Sequence, residues 1–140
     1  MADMVPADKR RALMKNVKGK NSQAELLVFR YLRANKIYFQ RHYKRAAGSP
    51  DIALPRKRKA VFIDGDFWHG RKLSYLLERH GEDNFWTKKI RANMERDKRQ
   101  RNELLQNGWS IIAVWESDLM RKRTREATLL HIANFLTSGL

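Results

Sequence analysis

Hydrophobic positions along the chain change period several times, and each change marks an element. Behind Ser22-Gln23-Ala24-Glu25, the residues Leu27, Val28, Tyr31 and Leu32 form a helical stripe, which predicts a helix from Ser22 to about Asn35. Upstream, residues 8–17 (DKRRALMKNV) predict a short basic helix closed by a break at Gly19-Lys20-Asn21. Three short apolar runs follow. Ile37–Gln40, Pro50–Leu54 and Lys59–Asp64 read as strands, with Gly48-Ser49 turning into the second and Arg56-Lys57-Arg58 joining the second to the third as a hairpin. Residues 65–83 read as a long connection rich in glycine, aromatics and charge, a length usually reserved for functional or disordered segments. Phe85 to Gln106 predicts a long amphipathic helix with Trp86, Ile90, Met94 and Leu104 on its apolar side and Asn107-Gly108 as its stop. Trp109–Trp115 is the most apolar strand and is expected at the centre of the sheet, and a last helix is expected from Thr124 to Leu136.

The order α-α-β-β-β-α-β-α predicts an α/β fold, a mixed central sheet flanked by helices. At 140 residues, without repeats or linkers, the chain suits one domain over residues 1–140 with a modest core.

Charge narrows the class of partner. Thirty Lys and Arg face 15 acids, for a net charge of +15. Such a field draws polyanions, of which nucleic acid is the commonest in the cytosol; a ribosome or a membrane surface has the same sign. Cysteine is absent, which excludes disulfides, catalytic thiols and thiolate zinc sites. No apolar run approaches a membrane span, and Met1–Lys15 lacks the apolar stretch of a secretory signal. The expectation is a soluble, monomeric, cytoplasmic protein associated with the nucleoid and with no membrane partner.

Within this basic chain, acids gather at one place. Pro50-Asp51 opens one strand of the predicted hairpin, and Asp64-Gly65-Asp66 ends the next, so the hairpin brings Asp51 and Asp64 together. Clustered carboxylates are the hard-oxygen donors that Mg²⁺ uses, and a metal there can stabilise phosphate charge and activate water. His69, just beyond in Phe67-Trp68-His69-Gly70, titrates near neutrality and can take a proton from attacking water. Asp97 falls on or near the inward face of the long helix, where an acid needs a partner. It serves either a salt bridge with Arg96, Lys98 or Arg101, or the orientation of His69. Glu25 completes a capping box with Ser22, and its side of the helix also faces the predicted site. His42, His80 and His131 receive no role. Phe67, Trp68, Phe85 and Trp86 are two aromatic pairs beside the site, suited either to core packing or to stacking on bases.

Taken together, the Pro50-Asp51 pair, Gly65-x-Phe67-Trp68-His69, Asn93-x-x-Arg96-Asp97 and Gly108-Trp109-x5-Trp115-Glu116 resemble the very short patch repair (Vsr) endonucleases. The resemblance runs from about Lys9 to Asp118. It implies the restriction-endonuclease-like fold of the PD-(D/E)xK superfamily, with a single Vsr-like endonuclease domain whose residues 1–20 form a basic DNA-contacting segment. It implies that Asp51 and the backbone carbonyl of Ile63 hold Mg²⁺, with Asp64 as an additional candidate ligand. His69 then activates water, Asp97 orients it, and Glu25 binds metal-coordinated water. Phe67, Trp68 and Trp86 become a wedge beside a T·G mismatch, Met14 enters from the opposite groove, and Lys15 and Arg71 complete the DNA-binding set. Two positions depart from the family. Its repair enzymes carry a structural zinc, whereas the corresponding residues here are Asp66, Arg71, Leu73 and Ser117, so no zinc is expected and other contacts must hold the loop. Asp64 stands where the repair enzymes tend to have histidine.

The implied activity is a Mg²⁺-dependent endonuclease that nicks double-stranded DNA, with T·G mismatch repair as the role. The alternatives are a Vsr-like homing or mobile-element nuclease without mismatch specificity, a catalytically idle DNA-binding module, and a ribosomal or RNA-binding protein.

Overall fold

The computed structural model describes residues 22–139, so the expected basic helix at 8–17, Met14, Lys15 and the rest of the segment 1–20 lie outside the described residues. The described elements are α1 (Gln23–Ala34), β1 (Gln40–Arg41), β2 (Ile52–Leu54), β3 (Lys59–Asp64), α2 (Leu73–His80), α3 (Phe85–Gln106), β4 (Ser110–Trp115), α4 (Glu116–Met120) and α5 (Lys122–Thr137). This is an α/β arrangement around one mixed sheet ordered β1-β2-β3-β4, antiparallel through the β2–β3 hairpin and parallel between β3 and β4.

The alternation of β3 explains the layering, because successive side chains point to opposite faces. Val61 and Ile63 join Ile52 and Val114 in a core with Val28, Phe29 and Leu32 of α1 and Leu129, Ile132 and Leu136 of α5. Ala60 and Phe62 face the other way, onto Leu104 of α3 and Ala46. Every residue of β3 is buried, its terminal charges included. Lys59 satisfies its ammonium on the carbonyls of Phe135 and Ser138 at the end of α5, where unpaired carbonyls and the helix dipole favour a cation.

Four details differ from the sequence expectation. The strand expected at Ile37–Gln40 shrinks to Gln40–Arg41. Lys36 takes a left-handed φ of 58° and the Ile37 N–H closes back on the Leu32 carbonyl, so these residues finish the helix rather than start the strand. The connection at 65–83 contains α2, which buries Leu76 through a Leu73/Leu76/Leu77 stripe. The apolar strand β4 pairs, among the described residues, with β3 alone, so β3 rather than β4 is interior. Ile111, Ile112 and Trp115 are only partly buried and Val114 alone is fully so, because β4 lies at the edge of the described sheet. Lastly, a short helix α4 precedes the final helix, which starts at Lys122 rather than Thr124.

Candidate active site

Asp51 stands at the mouth of the β2–β3 hairpin, where the register pairs Ile52 with Val61. Its Oδ2 accepts the Ile63 N–H at 2.7 Å, which fixes the carboxylate and leaves Oδ1 uncommitted to that bond. Burial pushes the Asp51 carboxyl well above its ordinary pKa, and the nearby Glu25 and Asp64 charges push the same way against the Ile63 hydrogen bond.

Glu25 divides its two oxygens in a similar manner. Oε1 accepts the Ser22 N–H at 2.9 Å while the Glu25 N–H donates to Ser22 Oγ at 3.2 Å, completing the capping box. Oε2 turns the other way and lies 3.3 Å from Nε2 of His42. The cap and the site are therefore compatible uses of one side chain. His42 follows β1, holds a φ of 48°, and donates its backbone N–H to the Asp51 carbonyl at 3.0 Å. Its Nδ1 lies 3.9 Å from Asp51 Oδ1. One candidate ligand atom from each of Glu25, His42 and Asp51 lies within 4.8 Å of the others.

A second group faces these residues. The Nδ1–H of His69 donates to Asp97 Oδ2 at 2.5 Å, and Asp64 Oδ1 is 3.8 Å from the same nitrogen. Burial opposes charging of the ring, but the Asp97 hydrogen bond and the Asp64 and Asp97 charges outweigh it and raise the His69 pKa above its ordinary value. Asp64 is itself buried and accepts from Arg101 Nη2 at 2.7 Å; the Arg101 guanidinium lies 4.3 Å from the centre of the Phe62 ring. Of the helix residues expected inside, Trp86, Ile90 and Leu104 are buried, but Met94 is 37% exposed and Asn93 takes the inward position. The stripe thus runs through Asn93 toward Asp97, which places Asp97 against His69. Asn93 donates to the Trp68 carbonyl at 3.1 Å and so fastens the residue preceding His69.

The loop bearing His69 is held from its other side by polar residues. Asp66 accepts from the Ser117 backbone N–H at 3.0 Å and from the Ser117 hydroxyl at 2.5 Å. Arg71 Nη1 reaches Ser117 Oγ at 2.9 Å and Asp118 Oδ2 at 3.2 Å, and its guanidinium stacks on Trp115. Gly70 has a φ of 88° and crosses so near Met94 that a β-carbon there would collide with it. Phe67, Trp68 and Trp86 pack on one another with ring centres 5.1–5.4 Å apart. Trp68 and Trp86 are buried, whereas the neighbouring Phe85 is 60% exposed.

Both groups line one cleft of about 1040 Å³, together with Arg96, Gln100 and Glu116. Burial raises the Glu116 carboxyl above its ordinary value, with Glu25 and Asp66 acting in the same direction. A crowd of acids fits a divalent cation: Glu25 Oε2, Asp51 Oδ1 and the His42 ring lie near one another, and the covered His42 Nε2 has no hydrogen-bond partner among the described residues.

Residues 2–75 match the family described as DNA mismatch endonuclease Vsr. The type II nicking enzyme V.XorIIP of Xanthomonas oryzae pv. oryzae is 34% identical over 132 residues, covering 94% of this chain and 97% of that protein. This chain belongs to the Vsr family. The type II nicking enzyme V.HpaIIP of Haemophilus parainfluenzae is 32% identical, with 86% of each chain covered. The DNA mismatch endonuclease Vsr of Escherichia coli K12 is 29% identical, over 91% of this chain and 83% of that one.

Several residues that the Vsr resemblance singled out stand together in this cleft: Glu25, Asp51, Ile63, Asp64, His69 and Asp97. Trp68 also lines it, while Arg71 lies in the polar network behind the loop. Three of the four residues that the resemblance sets at the repair enzymes' zinc positions, Asp66, Arg71 and Ser117, contact one another, and the fourth, Leu73, begins α2. The sequence reading assigned no role to His42, which stands beside Glu25 and Asp51, gave Asn93 and Glu116 no separate roles, and offered Arg101 as a partner for Asp97, whereas Arg101 pairs with Asp64 and Asp97 with His69. The signal for His42 was the hairpin pairing of β1 with β2, which puts it opposite Asp51.

Proposed function

We propose that the chain is a divalent-metal-dependent endonuclease that nicks one strand of duplex DNA, with a T·G mismatch as its preferred substrate. The observation that carries this reading is the placement of the His69–Asp97 pair and the Glu25–Asp51 carboxylates on one cleft. Family membership supports the reaction class and, through the mismatch endonuclease relative, the substrate.

Asp51 Oδ1 and the Ile63 carbonyl would hold the cation, with Asp64 as a further candidate; Glu25 Oε2, expected to bind only metal-coordinated water, lies close enough to Asp51 to hold the ion directly. Mg²⁺ held by these residues would supply positive charge to offset that of a phosphate and would acidify water. The chain's own contribution follows from its contacts. With Nδ1 committed to Asp97, His69 has Nε2 to accept the proton of the attacking water. Asp97 stabilises the imidazolium that results and fixes the tautomer. The net charge of +15 brings the phosphate backbone to an otherwise acidic cleft.

A second reading is a Vsr-type nickase without mismatch selectivity, favoured by the burial of Trp68 and Trp86 in the described structure. Cleavage of matched and T·G-mismatched duplexes with Mg²⁺ or EDTA tests both. The first reading predicts Mg²⁺-dependent nicking concentrated on the mismatch, and the second predicts equal nicking of both duplexes. Cleavage that proceeds unchanged in EDTA contradicts the metal-dependent mechanism in either form.

A further inference from the structure

We propose that His42 is a ligand of the catalytic cation, so that the site is a mixed nitrogen–oxygen centre rather than an all-oxygen one. This rests on the metal-dependent reading above. Glu25 and Asp51 each spend one carboxylate oxygen on a backbone N–H: Oε1 on Ser22 and Oδ2 on Ile63. Those two bonds orient the carboxylates, and the free oxygens Oε2 and Oδ1 face the same imidazole, at 3.3 and 3.9 Å from its two nitrogens. The ring is held in turn by its own backbone, since the His42 N–H and the Asp51 carbonyl are paired across the hairpin at 3.0 Å. Phe29 packs edge-on against the imidazole, with centres 6.0 Å apart, and limits its rotation.

The orphaned His42 Nε2 is the second observation. The atom is covered although the His42 side chain is 20% exposed, it has no hydrogen-bond partner among the described residues, and a carboxylate oxygen lies 3.3 Å from it. In the tautomer with the proton on Nδ1, the Nε2 lone pair faces the Glu25 Oε2 lone pair, and a cation shared between them removes that repulsion. One ligand atom from each of the three side chains lies within 4.8 Å of the others, and the ion would take a single imidazole nitrogen, Nε2, beside Glu25 Oε2 and Asp51 Oδ1.

The consequence is a change in metal preference. Mg²⁺ favours oxygen donors and retains its waters, whereas an imidazole nitrogen suits the first-row transition ions. This site should therefore bind Mn²⁺ and Co²⁺ more tightly, relative to Mg²⁺, than two carboxylates alone would.

Electron spin echo spectroscopy of Mn²⁺ bound to the DNA-free protein tests the ligand directly. A nitrogen modulation should appear in the wild-type protein, change on ¹⁵N-histidine labelling, and vanish in His42→Gln. Calorimetric titration should show Mn²⁺ binding weakened by at least about tenfold in His42→Gln, since even outer-shell partners of a metal typically contribute about 10–100-fold. Wild-type protein with bound Mn²⁺ and no nitrogen modulation overturns the proposal without any variant having to fold. A modulation that survives in His42→Gln overturns it as well. Asp51→Asn separates the two levels of the argument. If Asp51→Asn binds Mn²⁺ as wild type does, the metal-site reading itself fails; if it loses Mn²⁺ while nitrogen is absent from the wild-type signal, only the His42 assignment fails.

Discussion

Nδ1 of His69 and Oδ2 of Asp97 lie 2.5 Å apart, although one sits on the loop after β3 and the other in the fourth turn of α3. The bond depends on Asn93, one turn earlier, which holds the Trp68 carbonyl and so sets the loop's height over the helix. His69→Ala should lower turnover by roughly 10²–10⁴-fold, the usual value of a general base. Asp97→Asn should lower it less and move the acidic limb of the pH–rate profile to lower pH, because Asp97 is what holds the His69 pKa up against burial. A limb that stays in place on Asp97→Asn would show that the pair does not control the titrating base.

The same pair gives a stability signature with a definite sign. A histidine whose folded pKa is raised contributes stability that is complete below its unfolded value of about 6.5 and is lost as pH rises through the folded value. Wild-type protein should therefore lose part of its advantage over Asp97→Asn between mildly acidic and mildly alkaline pH, as measured by urea denaturation.

Asp51 has the same pH sign as His69, but its substitution should raise stability. Its folded pKa is raised, so its contribution to stability is present below the ordinary carboxylate value and is lost as pH rises through the folded pKa. Asp51→Asn removes that cost at neutral pH, and the amide oxygen can still accept the Ile63 N–H. The expected result is a metal-free protein that melts higher than wild type, binds DNA as well or better, and does not cleave. A lower melting temperature would mean that the carboxylate is structural.

Arg71 bridges Ser117 and the acids Asp66 and Asp118 behind the His69 loop. Arg71→Met should cost about 1–2 kcal/mol, a discounted value for a partly exposed charged hydrogen-bond network. Amide exchange at Trp68–Gly70 should accelerate with it. Unchanged exchange there would show that the loop is held by Asn93 and its aromatic packing alone.

The buried tryptophans and the exposed Phe85 predict different outcomes. Trp86→Ala should destabilise by about 3–5 kcal/mol, as truncation of a core aromatic does. Phe85→Ala should change stability by no more than about 0.5 kcal/mol. If Trp86→Ala leaves stability intact while abolishing the brightening of a fluorescent base beside a mismatch, Trp86 is a wedge rather than core.

The parts of the site that the sequence made legible are those set by local rules. The Ser22–Glu25 cap follows from spacing, and the juxtaposition of Asp51 and Asp64 follows from hairpin length. The polar network at Asp66, Arg71 and Ser117 was visible only as positions where the family's metal ligands are missing; that these residues bond to each other depends on β4 lying beside β3. His42 was given no role because its acidic neighbours, Glu25 and Asp51, come from elsewhere in the sequence and meet it only through the pairing of the two-residue β1 with β2. The displacement of Met94 by Asn93 has a similar origin. Both lie near the inward arc of α3, and only the passage of the loop beneath the helix selects the polar one.

The central claim is that His69, oriented by Asp97, and the cation held beside Asp51 cut a phosphodiester bond together. Its most direct measurement is single-turnover cleavage of an end-labelled T·G duplex and its matched counterpart by wild-type and His69→Ala protein, each with Mg²⁺ and with EDTA. The account predicts a single nick on the mismatched duplex by wild-type protein in Mg²⁺, and at least about a hundredfold slower nicking by His69→Ala. Cleavage by His69→Ala at the wild-type rate, or undiminished wild-type cleavage in EDTA, would contradict it.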